Sequence, residues 1–474
     1  MSVLRTHLSR RLNRELYRYC LTENYPFVVD LERSHGSYLR TVEGQDVFDW
    51  AGYYASKLIG HNHPGLRERA YVKRLVRAAN NKVPNPDFLT RECLDFYRLA
   101  FSLAPRSMKT SRELEVYAIN SGAEAVENML KYLISRHNSK VGRVDSLRHR
   151  RFIVFNRSFH GRTVFALSLT TVETTVITKD FHPLFRSAVA VDFPAGVFSG
   201  RDASEMRRYN DRASARALEG IEKQLVRHAG SVTGIIVEPI QGAGGHNVAP
   251  SGFFEELSKL AAAHDVYLGF DEVQTGLGGS GKWYYIDHLK LARPPQAVAA
   301  AKKFGVGVLY MLDHLKDVGV LDSTWGGPLV DMVRARQELK IVRRERLVAR
   351  TARLGKTLRD GLCALERAYP DVLFNVRGCG FLQGFSVLPT SDGRARDLLL
   401  DVALEKHLLL MLGAGKNSIR LRPNLSTSGD DVKRFLEVLR RAIEDFRRSR
   451  PKAWEADALR QREGSLPKLM KELG

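Results

Sequence analysis

The sequence predicts an α/β fold with a mostly parallel sheet, on the pattern of two apolar runs and the helix between them. Residues 234–237 form an apolar run that ends at Glu238, and residues 266–270 form a second one that ends at Asp271. Between them, residues 252–264 carry apolar side chains at helical spacing. Strand, helix and strand at this spacing indicate a right-handed βαβ unit with parallel strands. Open α/β sheets bind ligands at the carboxyl ends of their strands, so we expect a site at these two acids.

Length and composition limit the number of domains and the class of protein. A chain of 474 residues is long enough for two or more domains. Its hydrophobic fraction of 44% and charged fraction of 27% are ordinary for a globular protein. No apolar run is long enough to predict a membrane-spanning helix. The four cysteines lack the spacing of a metal or redox site, so we expect no metal, no disulfide framework and a reducing compartment.

The formal net charge of +21 predicts a positive field that attracts phosphates, anionic cofactors or polyanions. The densest basic clusters are residues 143–151 and 343–353. Neither a zinc-finger spacing nor an aromatic-glycine RNA-binding motif accompanies them. We therefore favour solvated basic helix faces, and nucleic-acid contact stays open as the minor alternative.

The amino-terminal residues 1–20 contain five arginines and one acid, Glu15. An arginine-rich, acid-poor start is typical of an organelle transit segment, and it is equally typical of a first helix of a small domain. We favour the helix. The expected location is cytoplasmic, with the mitochondrial matrix as the alternative.

The elements follow in order along the chain. Residues 27–32, 37–40 and 45–50 predict short strands of a small sheet. Residues 117–119 predict a strand that leads through Ser121, Gly122 and Ala123 into a long helix. Free amides in the first turn of such a helix point at an anion, and small residues let the backbone approach it, so this turn predicts a phosphate site. Further elements are a strand at 152–155, a helix at 331–353, a strand at 418–423 and a basic helical tail after Arg447.

A carboxylate and a lysine near the second apolar run suit one cofactor. Asp271 ends that run, and Lys302 follows three alanines. In pyridoxal phosphate chemistry a lysine amine forms a Schiff base, and an acid keeps a proton on the pyridine nitrogen so that the ring accepts electrons.

Several segments together resemble the class III, fold-type I aminotransferases, and among these the lysine 6-aminotransferases most. They are Asn120–Asn128, Ser158–Thr163, Glu238–Gly242, Phe270–Gly276 and Ser323–Gly327, in the order the family has them. The resemblance spans about residues 25–445. It implies a large domain with a mostly parallel sheet flanked by helices, and a smaller α+β domain built from both ends of the chain. The implied boundaries are 1–65 for the amino-terminal part of the small domain, 66–345 for the large domain and 346–474 for the carboxy-terminal part with its tail.

The same resemblance implies roles for individual residues. Lys302 takes the Schiff base, in preference to Lys303, and Asp271 pairs with the pyridinium. Two arginines bind substrate carboxylates: Arg162, and Arg420 as the clamp for 2-oxoglutarate or glutamate. Thr324 reaches the phosphate bound by the other subunit, which implies a homodimer with shared active sites. The remaining implied cofactor contacts are Ser121, Gly122 and Ala123 on the phosphate, Phe159 stacked on the ring, His160 beside it, Glu238 supporting the pocket, Gln274 on the phenolic oxygen, and Ser323.

One departure from the family pattern bears on the substrate. Ala243 stands where lysine 6-aminotransferases have a glutamate that masks the clamp arginine when lysine binds. The expected reaction is transfer of the terminal amino group of L-lysine to 2-oxoglutarate, which gives 2-aminoadipate 6-semialdehyde and glutamate. Ornithine, acetylornithine and 4-aminobutyrate remain alternative donors. A catalytically impaired member of the fold that serves as a basic assembly or RNA-binding partner is the alternative of a different class.

Overall fold

The computed structural model describes five stretches of the chain. These are residues 2–142, 150–172, 188–315, 317–390 and 392–474. Their strands are β1 Val29–His35, β2 Tyr38–Thr41, β3 Asp46–Asp49, β4 Glu115–Ile119, β5 Arg151–Phe155, β6 Ala188–Val191, β7 Val232–Val237, β8 Ile240–Gln241, β9 Asn247–Val248, β10 Tyr267–Asp271, β11 Ala297–Ala300, β12 Gly307–Met311, β13 Leu373–Cys379, β14 Leu382–Val387, β15 Leu409–Leu410, β16 Leu412–Ala414 and β17 Ser418–Leu421.

Helices separate most of these strands. Short 3₁₀ turns also occur, and the one at Lys302–Phe304 matters for the site. Apart from a distorted four-residue turn at Gly52–Ala55, the α-helices of the described residues are α1 His7–Leu16, α2 Arg69–Asn80, α3 Arg91–Ser102, α4 Gly122–Val141, α5 Val164–Ser168, α6 Ala203–Arg227, α7 Phe253–Ala263, α8 Leu329–Arg344, α9 Leu347–Ala368, α10 Ala395–His407, α11 Gly429–Ser449, α12 Lys452–Glu463 and α13 Leu466–Leu473.

The central sheet has the strand order β4-β12-β11-β10-β7-β5-β6. Strand β12 runs antiparallel to both of its neighbours, and the other neighbouring pairs are parallel. Strands β7 and β10 pair in parallel with Val237 opposite Phe270, and α7 connects them. This confirms the predicted βαβ unit and the predicted α/β class with a mostly parallel sheet. Most of the side chains of these strands are fully buried because helices cover both faces of such a sheet.

Two smaller four-stranded sheets are built from the ends of the chain. One has the order β1-β2-β3-β15, and β15 pairs in parallel with β3, so segments some 360 residues apart share this sheet. The other has the order β13-β14-β17-β16 and is antiparallel throughout. The predicted domain boundaries at residues 65 and 345 stay predictions.

The amino-terminal residues pack onto the first small sheet. Helix α1 begins at His7, and the Ser9 backbone and hydroxyl both donate to the Glu43 carboxylate, each at 2.8 Å. The Val28 amide donates to the Ser9 hydroxyl at 2.9 Å. The structure thus places the arginine-rich start as a helix against the small sheet.

The helix predicted over 331–353 is wrong in its extent. Two helices occupy this region, and Arg346 separates them with a left-handed φ of 52°. Apolar spacing continues across the junction, so the pattern gave no sign of the break. Of the two dense basic clusters, residues 343–353 cover this junction, whereas residues 143–149 lie outside the described part of the chain.

Membrane spans and metal sites are two features that the described residues lack. No helix there combines the length and the apolar character needed to cross a membrane. Within the same residues no group of histidine, cysteine, aspartate and glutamate side chains is arranged to hold a metal ion.

Two helical glycines give a matched test of packing. A Cβ at Gly355 in α9 would enter the backbone of Gly380, whereas a Cβ at Gly220 in α6 would meet nothing within 4 Å. We expect Gly355→Ala to destabilise the protein by about 1–3 kcal/mol through overpacking. Gly220→Ala should stabilise it by about 0.5–1 kcal/mol, because alanine loses less entropy in a helix. Thermal melting of both variants checks this, and equal melting temperatures would contradict the packing.

Candidate active site

The carboxyl ends of five central strands meet at one edge of the sheet. Because neighbouring strands β5, β7, β10 and β11 are parallel, the residues that follow them converge. Strand β4 reaches the same edge because β12 reverses direction between β4 and β11. The residues that these strands deliver are Ser121 after β4, Phe159 and His160 after β5, Glu238 after β7, Asp271 at the end of β10 and Lys302 after β11.

A cavity of 290 Å³ opens at this edge. Most of the residues predicted for the site line it, together with three that were not predicted. The predicted ones are Gly122, Ala123, Phe159, His160, Arg162, Glu238, Asp271, Gln274 and Lys302, and the others are Gly161, Ala243 and Val273.

Asp271 is buried and held by two hydrogen bonds. One carboxylate oxygen accepts from Nδ1 of His160 at 2.8 Å, and the other accepts from the Val273 amide at 3.0 Å. Burial lowers the pKa of His160, but the hydrogen bond and the charge of Asp271 outweigh it and raise that pKa above its usual value. The hydrogen bond with His160 therefore orients the Asp271 carboxylate.

Glu238 supports two backbone segments of the cavity. Its carboxylate accepts from the Phe159 amide at 2.8 Å and from the Gly242 amide at 3.1 Å. Burial raises its pKa to about 7, although the charge of His160 opposes the shift. Glu238 thus fixes the loop that carries Phe159 and His160 relative to the end of β7.

Lys302 lies in a strained turn within a cationic, buried setting. Its φ is 34°, which is rare for a residue with a side chain, and such strain often marks a functional site. Burial, followed by the charges of Arg420 and Arg422, lowers its pKa to about 7. A buried lysine with a lowered pKa carries a neutral, nucleophilic amine near neutral pH.

The next lysine, Lys303, points elsewhere. Its Nζ lies 3.5 Å from the Gln274 carbonyl, and it does not line the 290 Å³ cavity. Burial lowers the pKa of Lys303 to about 7 as well, so basicity does not separate the two lysines. Their positions do separate them, because only Lys302 lines the 290 Å³ cavity together with Asp271.

Arg422 and His246 are site residues that the sequence reasoning missed. The Arg422 guanidinium donates to Oε1 of Gln274 from Nε at 3.1 Å and from Nη2 at 2.9 Å. The same Nη2 donates to Nδ1 of His246 at 2.8 Å. Because Arg422 occupies the amide oxygen of Gln274, the amide nitrogen is left to act as a donor. The spacing Arg-Leu-Arg at 420–422 was a signal, since alternate residues of a strand share a face.

The predicted phosphate turn has the geometry of an anion site. Ser121 caps α4, and its hydroxyl accepts from the Glu124 amide at 3.2 Å. A Cβ at Gly122 would lie 2.7 Å from Cγ1 of Val273, so only glycine fits at this position. Ser121 and Gly122 also line a second cavity, of 390 Å³, that shares Lys302 with the first. The helix amino terminus therefore opens beside the lysine.

The two predicted carboxylate-binding arginines differ in exposure. Arg162 is exposed at the rim of the 290 Å³ cavity. Arg420 is buried, and its guanidinium lies 6.0 Å from the ring of Tyr54. Burial lowers the pKa of Arg420, while the charge of Glu238 opposes the shift. Within the described residues the Nε of Arg420 has no hydrogen-bond partner.

Ser323 and Thr324 lie outside the first cavity. The Ser323 hydroxyl accepts from Nδ2 of Asn120 at 3.2 Å, which ties this segment to the start of α4. Nδ2 of Asn128 donates to the Leu321 carbonyl at 3.0 Å. Thr324 itself is exposed. This chain therefore presents Thr324 outwards from a segment that is firmly held.

These residues fit pyridoxal 5′-phosphate. Phe159 and Val273 both line the cavity and offer apolar surface to an aromatic ring, and Asp271 suits a protonated ring nitrogen. The amino terminus of α4 suits a phosphate, since free amides and the helix dipole favour anions. Lys302 supplies an amine that can bond covalently to an aldehyde.

Comparisons with known proteins agree with this geometry. The family model "Aminotransferase class-III" matches residues 20–443. The chain is 31% identical to an L-lysine-epsilon aminotransferase of Amycolatopsis lactamdurans over 447 residues, which is 91% of this chain and 95% of the relative. It is 29% identical to the mitochondrial 4-aminobutyrate aminotransferase of Mus musculus, over 93% of this chain and 89% of the relative. A solved lysine aminotransferase from M. tuberculosis superposes with a TM-score of 0.83 at 31% identity, over 92% of this chain and 99% of that one.

The lowered pKa of Lys302 gives a pH test. Below pH 7 the amine is protonated and inert, and above it the amine is neutral, so the loading rate of apoenzyme with pyridoxal 5′-phosphate should rise with a midpoint at about pH 7. Stopped-flow absorbance measures this rate. Lys303→Met should keep the midpoint, and Lys302→Ala should abolish the covalent phase. A midpoint near the ordinary lysine pKa of about 10.4 would contradict the assignment.

Proposed function

We propose that this chain, which belongs to the class-III aminotransferase family and is a pyridoxal-phosphate-dependent transaminase, transfers the ε-amino group of L-lysine to 2-oxoglutarate. The products would be 2-aminoadipate 6-semialdehyde and glutamate. The observation that carries the proposal is a buried lysine of lowered pKa and a histidine-held aspartate on one cavity wall. The substrate pair is supported by the likeness to lysine aminotransferases over most of the chain.

The bound cofactor would supply an electron sink that stabilises negative charge on the substrate carbon. Asp271 would hold the proton on the ring nitrogen that this role needs, with His160 fixing the carboxylate. The amide nitrogen of Gln274 would donate to the phenolic oxygen, because Arg422 occupies its other end. Ser121, Gly122 and Ala123 would bind the phosphate at the start of α4. Phe159 would cover one face of the ring.

Lys302 would serve as the covalent anchor and then as the general base. Once substrate displaces it, its neutral amine can accept a proton from the substrate carbon and return it to the cofactor carbon. A base with a pKa of about 7 does both near neutral pH. The cationic surroundings from Arg420 and Arg422 help to keep the amine neutral.

Arg162 and Arg420 would each bind a different substrate carboxylate. A guanidinium binds a carboxylate through two parallel hydrogen bonds, which fixes orientation as well as position. Arg162 at the cavity rim would take the carboxylate that lies farther from the reacting carbon. Arg420 would take the α-carboxylate of 2-oxoglutarate or glutamate in the second half-reaction.

Ala243 bears on the choice of donor. It lines the cavity and brings no carboxylate that could mask Arg420. Glu238 is the charged group that most favours the ionised form of Arg420, but it acts without an ion pair. Donors that carry an α-carboxylate near the reacting amine would therefore compete with lysine. Ornithine, acetylornithine and 4-aminobutyrate remain the alternative terminal-amine donors.

The visible spectrum of the purified protein tests the proposal directly. We expect a yellow band from the covalently held cofactor, and we expect L-lysine without any oxo acid to bleach it. Adding 2-oxoglutarate should restore the colour, since the second half-reaction regenerates the starting state. Ornithine, acetylornithine and 4-aminobutyrate, tested in parallel, rank the donors.

Lys302→Ala is the matched control for the spectrum. It should retain the cofactor through the phosphate and ring contacts but lack the lysine-dependent colour change. A wild-type protein that cannot be loaded with cofactor would reject the transaminase reaction. The catalytically impaired, basic RNA-binding or assembly role would then be the better account of the +21 charge.

A homodimer with shared sites forms the second part of the proposal. Thr324 is exposed on a segment tied to the start of α4, so it is placed to act outside its own chain. A hydroxyl donated to a phosphate is typically worth about 1.5–3 kcal/mol. We propose that Thr324 of the partner subunit completes each phosphate site.

Hybrid dimers of two variants test the sharing. Thr324→Val should weaken cofactor affinity about tenfold or more, which corresponds to about 1.4 kcal/mol or more. If sites are shared, a hybrid of Thr324→Val with Lys302→Ala contains one intact site and one doubly altered site. It should then show about half of the wild-type activity at limiting cofactor. Activity no greater than that of the two homodimers would contradict the shared arrangement.

A further inference from the structure

The last 23 residues form a tail that lies beyond the part of the chain matched by the family model. That match ends at residue 443, whereas α12 and α13 occupy residues 452–473. Both helices pack back onto the rest of the protein. The tail, defined as residues 452–474, is therefore an addition to the matched family region whose role the assigned site does not explain.

Apolar side chains anchor the tail to two parts of the fold. One part is the segment that follows β6, and the other is the sheet of β13 and β14. The last helix is amphipathic, and its apolar face is fully covered. The buried cluster consists of Leu466, Leu469 and Leu473 from α13, Ala458 from α12, and Val197, Phe374 and Leu388 from the two anchoring parts.

Charge-assisted hydrogen bonds add to this anchoring. The Arg462 guanidinium donates to the Leu373 carbonyl at 2.7 Å and to the Pro370 carbonyl at 2.9 Å. In the opposite direction, Nη2 of Arg201 donates to the Gly464 carbonyl at 2.5 Å. Bonds of this kind are about twice as strong as neutral ones, so the tail has a defined position.

The end of the tail contacts the turn that precedes β17, the strand that carries Arg420. Nδ2 of Asn417 donates to the Glu472 carbonyl at 3.1 Å. Asn417 lies in the turn between β16 and β17, and β17 carries Arg420. On its other side the same turn reaches the cavity wall, where the Gly415 amide donates to the Ala243 carbonyl at 2.8 Å. One turn thus joins the tail to Ala243 and to the strand of Arg420.

The tail also contacts the segment that carries Phe159. The Arg157 guanidinium packs against Gly474. The Arg157 backbone in turn packs so closely against Gly244 that a Cβ there would clash with its carbonyl. Arg157 precedes Phe159 by two residues. The end of the tail therefore lies where three segments meet, those of Phe159, Ala243 and Arg420.

We propose that the tail is a positioning element that holds the β16–β17 turn, and with it Arg420, at the distance from Lys302 that a bound carboxylate requires. Asn417 is the positioning residue that transmits this restraint. The proposal rests on the assigned role of Arg420 in the proposed function. A shift of about 1 Å in such a clamp is enough to cost a large factor in binding and rate.

Removal of residues 465–474 from the holoenzyme tests the proposal. Glutarate is the probe, because it has two carboxylates and no group that can react. We expect its dissociation constant, measured by calorimetry, and the KM for 2-oxoglutarate to rise about five- to tenfold. The kcat at saturating substrate should stay within about twofold, and the cofactor should remain bound.

Single substitutions test the same proposal in case the truncated protein does not fold. Asn417→Ala removes only the bond to Glu472, and it should raise the same two constants about two- to fivefold. Leu473→Ala should act in the same direction, and Leu473→Met, which conserves volume, should restore wild-type values. Trp454→Ala in α12 is the matched control, since Trp454 packs against the main core and not in the leucine cluster that holds α13. It should lower the melting temperature and leave both constants unchanged.

The outcomes separate this proposal from the proposed function. If the tail variants melt at lower temperature while glutarate affinity and KM stay at wild-type values, the tail is a stabilising addition only and the positioning role is wrong. Wild-type holoenzyme that fails to bind glutarate would reject the clamp role of Arg420, and the tail's role with it. That failure shows in the wild-type protein, whereas failure of the positioning role alone shows only in the variants.

Discussion

The structure depends on holding a lysine of lowered pKa and a hydrogen-bonded aspartate in the wall of one cavity. Burial favours the neutral amine of Lys302, and neighbouring guanidinium groups favour it further. Asp271 is buried, and a hydrogen bond with Nδ1 of His160 holds its carboxylate in place. The parallel strands make this combination feasible, because they bring residues that are far apart in sequence to one edge of the sheet.

The elements that the sequence predicted are those whose signal is local. Strands β7 and β10 are short apolar runs, and the turn at Ser121 has the composition of a helix amino terminus. Asp271 and Lys302 were found because each stands at the end of such a run. The break at Arg346 was missed because a single left-handed residue leaves the apolar spacing intact.

The parts of the site that were missed are held by contacts across long sequence separations. Arg422 orients Gln274 from 148 residues away, and His246 joins the pair through a ring nitrogen. The Arg-Leu-Arg spacing places Arg420 and Arg422 on one face, but neither it nor a lone histidine identifies a partner so far away in sequence. The roles proposed for Ser323, Thr324 and Arg420 come from the family resemblance, because the groups they would bind lie outside the chain itself.

The tail shows how a basic, helical segment can look featureless in sequence and still bear on the site. Its leucines at 466, 469 and 473 have the spacing of any amphipathic helix. What distinguishes them is the surface they cover, which includes Phe374 of one small sheet and Val197 beside the central sheet. A segment that bridges two sheets restricts their relative movement, because packed interfaces resist continuous deformation. The small sheet carries Arg420 and the central sheet leads into Lys302. An element that couples the two sheets therefore also restricts the distance between Arg420 and Lys302.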